Sequence, residues 1–112
     1  MSKVTQPRWK AMRTEETQQV EETLRQAFHQ ADAYRYNSAS IRVRVIDPRF
    51  KGKDISKRDA MVEKHLKELP ERTQADIMNL LTVTPDEIGK PENSPREWLL
   101  NVEFEDPSSS ML

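Results

Sequence analysis

At 112 residues and a net charge of −1, the chain has material for one domain and little for a second. The hydrophobic fraction is 35% against 33% charged, yet Val, Ile, Leu, Met, Phe and Trp recur in patterned clusters, which marks a folded centre with solvated flanks rather than a disordered chain. Cysteine is absent, which excludes disulfides and thiolate chemistry. No apolar run approaches the length of about 18 residues that a membrane span needs, and the first residues lack a secretion signal, so a cytoplasmic protein without membrane contact is expected.

The charge is unevenly spread. Residues 1–53 carry 11 Lys and Arg against 6 Asp and Glu, whereas residues 54–112 carry 7 against 13, so the halves have net charges of +5 and −6. Such a layout either steers a charged partner to one side or is cancelled where the fold interleaves the halves.

Residues 1–13 hold Lys3, Arg8, Lys10 and Arg13 with no acid and read as a basic arm. The arm either contacts phosphates, with Trp9 stacked on a base, or is a frayed terminus whose Trp9 packs on the domain. From Thr14 the pattern turns helical. Thr14 caps, Glu15 and Glu16 suit the positive end of the dipole, and Val20, Leu24, Phe28 and Ala31 follow at helical spacing, which predicts a helix over 15–31. Leu24 and Phe28 are its core residues on this reading, and Glu21, Glu22 and Arg25 its solvated ones.

Ala33 to Asn37, a turn at Asn37 to Ser40 and the alternating Ile41-Arg-Val-Arg-Val45 make a hairpin. Ile41, Val43 and Val45 share the core face, and Arg42 and Arg44 the opposite one. A loop punctuated by Pro48 and Gly52 and anchored by Phe50 leads to Ser56, an N-cap for a helix over 57–69 with Met61, Val62, Leu66 and Leu69 inward. Pro70 interrupts and starts a short turn from Glu71 to Ala75. Residues 77–84, apolar and partly β-branched and closed by Pro85, read as a strand, with a continued helix as the rival. After Gly89, Ser94-Pro-Arg-Glu97 fits a capping box for a helix over 95–104 that carries Trp98, Leu99, Val102 and Phe104, and residues 105–112 form a tail. The division is a basic arm over 1–13, an α+β domain over 14–90 and a C-terminal helix with tail over 91–112.

Arg49-Phe50-x-Gly52, followed six and nine residues later by Arg58 and Met61-Val62, then Leu66 and finally Thr82-Val-Thr-Pro-Asp-Glu87, resembles the BolA-like family. The resemblance spans residues 20–88. It implies an α-β-β-α-α-β order in a fold similar to class II KH domains, an adaptor role and a glutaredoxin-like protein partner. The family usually carries two histidines, linked to iron–sulfur cluster sharing with monothiol glutaredoxins. This chain has Asp59 at the first position and Asp76 or a neighbour at the second.

Little here suggests an enzyme. His29 and His65 are the only histidines and fit structural or surface roles. No His-Glu-x-x-His, phosphate-loop or nucleophile-elbow pattern occurs, and neither a metal site nor a cofactor is expected. Two binding surfaces remain. Arg49, Lys51, Lys53, Lys57 and Arg58, extended by Arg42 and Arg44 if they share its face, form a candidate patch for phosphates, although the Gly-x-x-Gly loop of KH domains is missing. Trp98, Leu99, Val102 and Phe104 form a candidate partner-docking group. A protein partner is the first expectation and nucleic acid the alternative.

Overall fold

The computed structural model describes residues 8–88 and Phe104. Its elements are a 3-10 turn at Arg8–Met12, α1 at Glu15–Arg25, β1 at Gln30–Asn37, β2 at Ser40–Ile46, α2 at Ile55–Leu66, α3 at Glu71–Asp76 and β3 at Ile77–Val83, with short 3-10 turns at Pro48–Phe50 and Pro85–Glu87. This is a small α+β domain with a three-stranded sheet in the order β1-β2-β3.

α1 begins at a reciprocal cap. The Thr14 hydroxyl accepts from the Thr17 amide at 3.3 Å, and the Thr17 hydroxyl accepts from the Thr14 amide at 2.8 Å. The helix ends at Arg25, six residues short of the predicted limit. Past that point the backbone finds tertiary partners instead: the His29 amide donates to Asp47 Oδ2 at 2.9 Å and the Ala27 carbonyl accepts from Arg49. Ala31 lies in the core as expected, but as part of β1. Glu21 is not solvated. It is 1% exposed, accepts from the Ala33 amide at 2.9 Å and pairs with Arg13. The inward stripe of Thr17, Val20 and Leu24 includes position 21, and a strand amide plus an arginine make a carboxylate tolerable there.

The hairpin follows the alternation. β1 and β2 are antiparallel from Gln30↔Ile46 to Asn37↔Ser40, and the Asn37 side chain accepts from the Ala39 amide at 2.9 Å to shape the turn. Ala31 and Ala33 of β1 and Ile41, Val43 and Val45 of β2 join Val20, Leu24, Phe28, Phe50, Val62, Leu66 and Leu69 in one core. The second helix starts two residues early, at Ile55, because Asp54 rather than Ser56 caps it and accepts from the Lys57 amide at 2.9 Å. It ends at Leu66, while Leu69 stays buried in the turn before Pro70. Residues 77–83 are a strand and not a continued helix. β3 runs parallel to β2 from Ile41↔Ile77 to Ile46↔Val83, and α2 and α3 supply the crossover that a parallel pair requires.

The sheet face turned away from α1 and α2 is also covered. Trp9, Tyr34 and Phe104 form one cluster on it, and Ile46, Leu81 and Val83 form another with Ile88 against them. The predicted helix over 95–104, with Trp98, Leu99 and Val102, lies outside the described residues apart from Phe104, as does the start of the basic arm.

Gly52 is the one described glycine with positive φ, +78°, and a Cβ there would meet nothing within 4 Å. Gly52→Ala therefore adds backbone strain without a clash and lowers stability by about 1 kcal/mol, with Gly52→Asn losing less. Urea denaturation checks both, as lower midpoints at unchanged slope.

Candidate functional site

Three surfaces follow from this frame: the loop between β2 and α2, the outer face of the sheet, and a groove between α2 and β3.

The loop is stapled by its own charged residues. Asp47 accepts from the His29 amide, from the Arg49 amide at 2.8 Å and from Arg49 Nε and Nη2, both at 2.9 Å. The Arg49 guanidinium and these amides hold its carboxyl down at about 2. Phe50 is buried with its ring centroid 5.8 Å from that of Phe28, and the Arg58 guanidinium lies 5.9 Å over it. Arg58, 6% exposed, donates to the Lys53 carbonyl at 2.8 Å, to the Thr82 carbonyl at 3.1 Å and to both Glu87 oxygens at 2.7 and 3.0 Å. That fork lowers the Glu87 pKa. Of the loop cations, Lys51, Lys53 and Lys57 have exposed side chains, whereas Arg49 and Arg58 staple the fold.

On the outer face the Arg42 guanidinium lies 3.7 Å over the Tyr36 ring and donates to the Tyr34 hydroxyl at 3.2 Å. Arg44 is 3% exposed, 3.3 Å from Asp32 and 5.1 Å over Phe104. Arg42 and Arg44 thus lie across the sheet from Arg58, which packs on the helix side. The seven cations read as one patch divide between the two faces.

The groove was not anticipated. Asp59 and Glu63 of α2 and Lys67 just past its end line it with Gln74 of α3 and Met78 and Leu80 of β3, around a cleft of about 510 Å³. The signal lay in the i, i+4, i+8 spacing of Asp59, Glu63 and Lys67. Met78, 61% exposed at the lip, gave none, because the register shift between Ile41 and Arg42 re-aims the start of β3. Next to this groove Asp76 meets Arg35 at 3.0 Å, and Arg35 reaches Glu16 at 3.1 Å, which ties α3 to α1 through β1. His65 stands edge-on to Phe28 at 5.4 Å, a packing role, and the His29 backbone serves Asp47. Among the described residues no three His, Asp or Glu side chains gather as metal ligands.

No protein-family model matches the chain. No curated protein matches it either. Solved structures do. BolA1 from Arabidopsis thaliana is similar at 17% identity and a TM-score of 0.51, over 66% of this chain and 96% of that one. The chain has a BolA-like fold. The BolA domain of SufE1 from Arabidopsis thaliana agrees at 15% identity and a TM-score of 0.53, over 67% of this chain and 98% of that one. Each BolA-like neighbour is spanned almost end to end, while about a third of this chain extends beyond the match.

Asp47 supplies a pH test of the loop. A carboxyl whose folded pKa lies below its usual value stabilises the fold above that usual value and loses the effect as pH falls through about 2. Asp47→Asn should cost about 1–2 kcal/mol above about pH 5, a figure discounted because Arg49 is exposed. The gap between the two proteins in denaturation midpoint should then close between about pH 4 and pH 2.

Proposed function

We propose that this protein is a non-catalytic adaptor that holds a protein partner along the β3 edge, with an extended partner segment seated in the groove beside α2. The observation that carries this reading is the groove itself. It runs beside a strand that ends the sheet, has a cleft of a size that receives side chains, and exposes Met78 at its lip. Edge strands with an open flank take up an added strand, main-chain hydrogen bonds giving affinity and flanking pockets giving selectivity. Glu63 and Lys67 on one wall present both signs of charge, which favours a segment whose charges match them in register.

The perturbed carboxylates support a non-catalytic role. Asp47 and Glu87 are both held anionic by arginines, as in structural ion pairs, rather than poised for proton transfer near neutrality. The resemblance to BolA-like proteins favours a glutaredoxin-like partner in the cytoplasm. Among the described residues no helix is long and apolar enough to cross a membrane. Of the docking group read from the sequence, Phe104 packs against Trp9 and Tyr34, and Trp98, Leu99 and Val102 lie outside the described residues.

A nucleic-acid reading rests on the exposed Lys51, Lys53 and Lys57 at the corner before α2. It needs affinity that salt removes, since phosphate contacts release counterions.

Capture from nuclease-treated extract on the immobilised full chain, washed at high salt, separates the two readings. The adaptor reading expects a defined protein retained by the wild type and lost with Met78→Asp, a change at an exposed position that leaves the fold intact. Recovery only of nucleic acid that high salt removes, or retention unaffected by Met78→Asp but lost when Lys51, Lys53 and Lys57 become Ala, overturns it.

A further inference from the structure

β3 ends the sheet with the run Ile-Met-Asn-Leu-Leu-Thr-Val, which holds no charged residue and no proline. Edge strands are usually blunted by such residues, because their unpaired backbone groups otherwise recruit another strand. We propose that this edge pairs with the same edge of a second copy of the chain, antiparallel about a two-fold axis at Asn79, and that the pairing closes the groove until a partner displaces it. The displacement rests on the adaptor reading; the pairing itself needs no partner.

The fold leaves one register open. The Val83 carbonyl accepts from the Asp47 amide at 3.0 Å on the β2 side, while the Thr82 carbonyl accepts from Arg58 at 3.1 Å on the opposite side. Backbone groups alternate along a strand, so those of Met78 and Leu80 face the edge as those of Thr82 do. The side chains of Met78 and Leu80 both line the groove, so the alternation is regular from Met78 onward. The register shift beside Ile77 ends the usable edge on one side, and the hold of Arg58 on Thr82 ends it on the other. Two copies pair the remaining positions reciprocally, Met78 of each against Leu80 of the other, when the axis passes through Asn79. A two-fold contact of this kind needs a patch that complements itself.

The charges beside the edge meet that condition. Asp59 lies beside Thr82, whose hydroxyl donates to it at 3.4 Å, and α2 runs antiparallel to β3 from there past Glu63 to Lys67. Four helical residues advance about 6 Å and two strand residues about 6.6 Å, so Glu63 stands level with Leu80 and Lys67 with Met78. A two-fold axis perpendicular to the sheet keeps both α2 helices on the same face of the joined sheet. The axis that sets Leu80 against Met78 of the second copy therefore also sets Glu63 against Lys67 of that copy, and Lys67 against its Glu63. Both side chains are exposed, and among the described residues neither is held in an ion pair. An axis at Leu80 instead would oppose Glu63 to Glu63 and call on the Thr82 carbonyl that Arg58 already holds. The shared edge is short, so the dimer is weak and yields to a tighter ligand.

Sedimentation equilibrium of the purified full chain, up to millimolar concentration, should show a monomer–dimer equilibrium. Glu63→Lys and Lys67→Glu should each weaken it about tenfold, because two attractive contacts become repulsive. An equimolar mixture of these two variants should associate more strongly than either alone, and the Glu63→Lys/Lys67→Glu chain should recover wild-type association. Circular dichroism checks that each variant is folded. Met78→Asp, which sets a carboxylate against Leu80 of the second copy, weakens the dimer independently of the charge pairs. A wild type that stays monomeric, single reversals without effect, or a mixture no stronger than its components overturns the proposal. A monomer that captures a protein partner overturns this proposal and not the adaptor reading, whereas a dimer with these charge effects that captures none does the reverse.

Discussion

The side chain of Arg58 closes the domain. A parallel β2-β3 pair cannot be made by a hairpin; it needs a crossover, and α2 with α3 supplies one that leaves the sheet and must return to it. Arg58 fixes both ends of that excursion, since its guanidinium binds the Lys53 carbonyl where the crossover departs and the Thr82 carbonyl and Glu87 where β3 ends. A buried guanidinium is costly unless its donors are met, and here they meet the Lys53 and Thr82 carbonyls and both Glu87 oxygens. The same side chain lies over Phe50, so the loop, the helix and the strand end are ordered together.

That economy recurs across a chain with few apolar residues. Glu21 is buried because it gives the Ala33 amide an acceptor and Arg13 a partner, and Asp32 and Arg44 neutralise each other on the far side of the sheet. The core proper is a single layer between the helices and the sheet. The outer face is closed by aromatic rings that reach it from distant positions in the sequence and lie against arginines as readily as against each other. Ion pairs of this kind contribute less to net stability than hydrophobic burial of equal volume would, but they disfavour registers in which a partner is lost.

Local signals were legible in the sequence. The alternation of Ile41, Val43 and Val45 gave the central strand and its core face, and the β-branched run ahead of Pro85 gave β3. What failed was decided by distant partners. Nothing near Phe28 says that the backbone beyond Arg25 will be claimed by Asp47 and Arg49, so helical spacing overran into β1. Ser56 and Asp54 are both competent caps, and the choice between them turns on where the loop from Gly52 delivers the chain. The basic patch illustrates the limit most plainly: Arg42 and Arg44 share the outer face of the sheet, Arg58 packs on the helix side, and Arg44 and Arg58 are spent inside.

The same reasoning separates what the fold keeps for itself from what it leaves available. Charged groups drawn into Asp47–Arg49, Arg58–Glu87 and Glu16–Arg35–Asp76 are satisfied within the domain, and a partner that engaged them would have to break contacts holding the loop, the crossover or α3. The groove has a sheet edge for a wall, and the aromatic cluster on the outer face is closed by the chain's own Phe104. They lie on different elements, one built on α2 and β3 and the other on β1 and β2, so one partner segment can occupy the groove while Phe104 remains in place. β2 is hydrogen-bonded to both strands and lies between the surfaces, and any coupling of them must pass through the strand whose two faces are the most completely buried part of the protein.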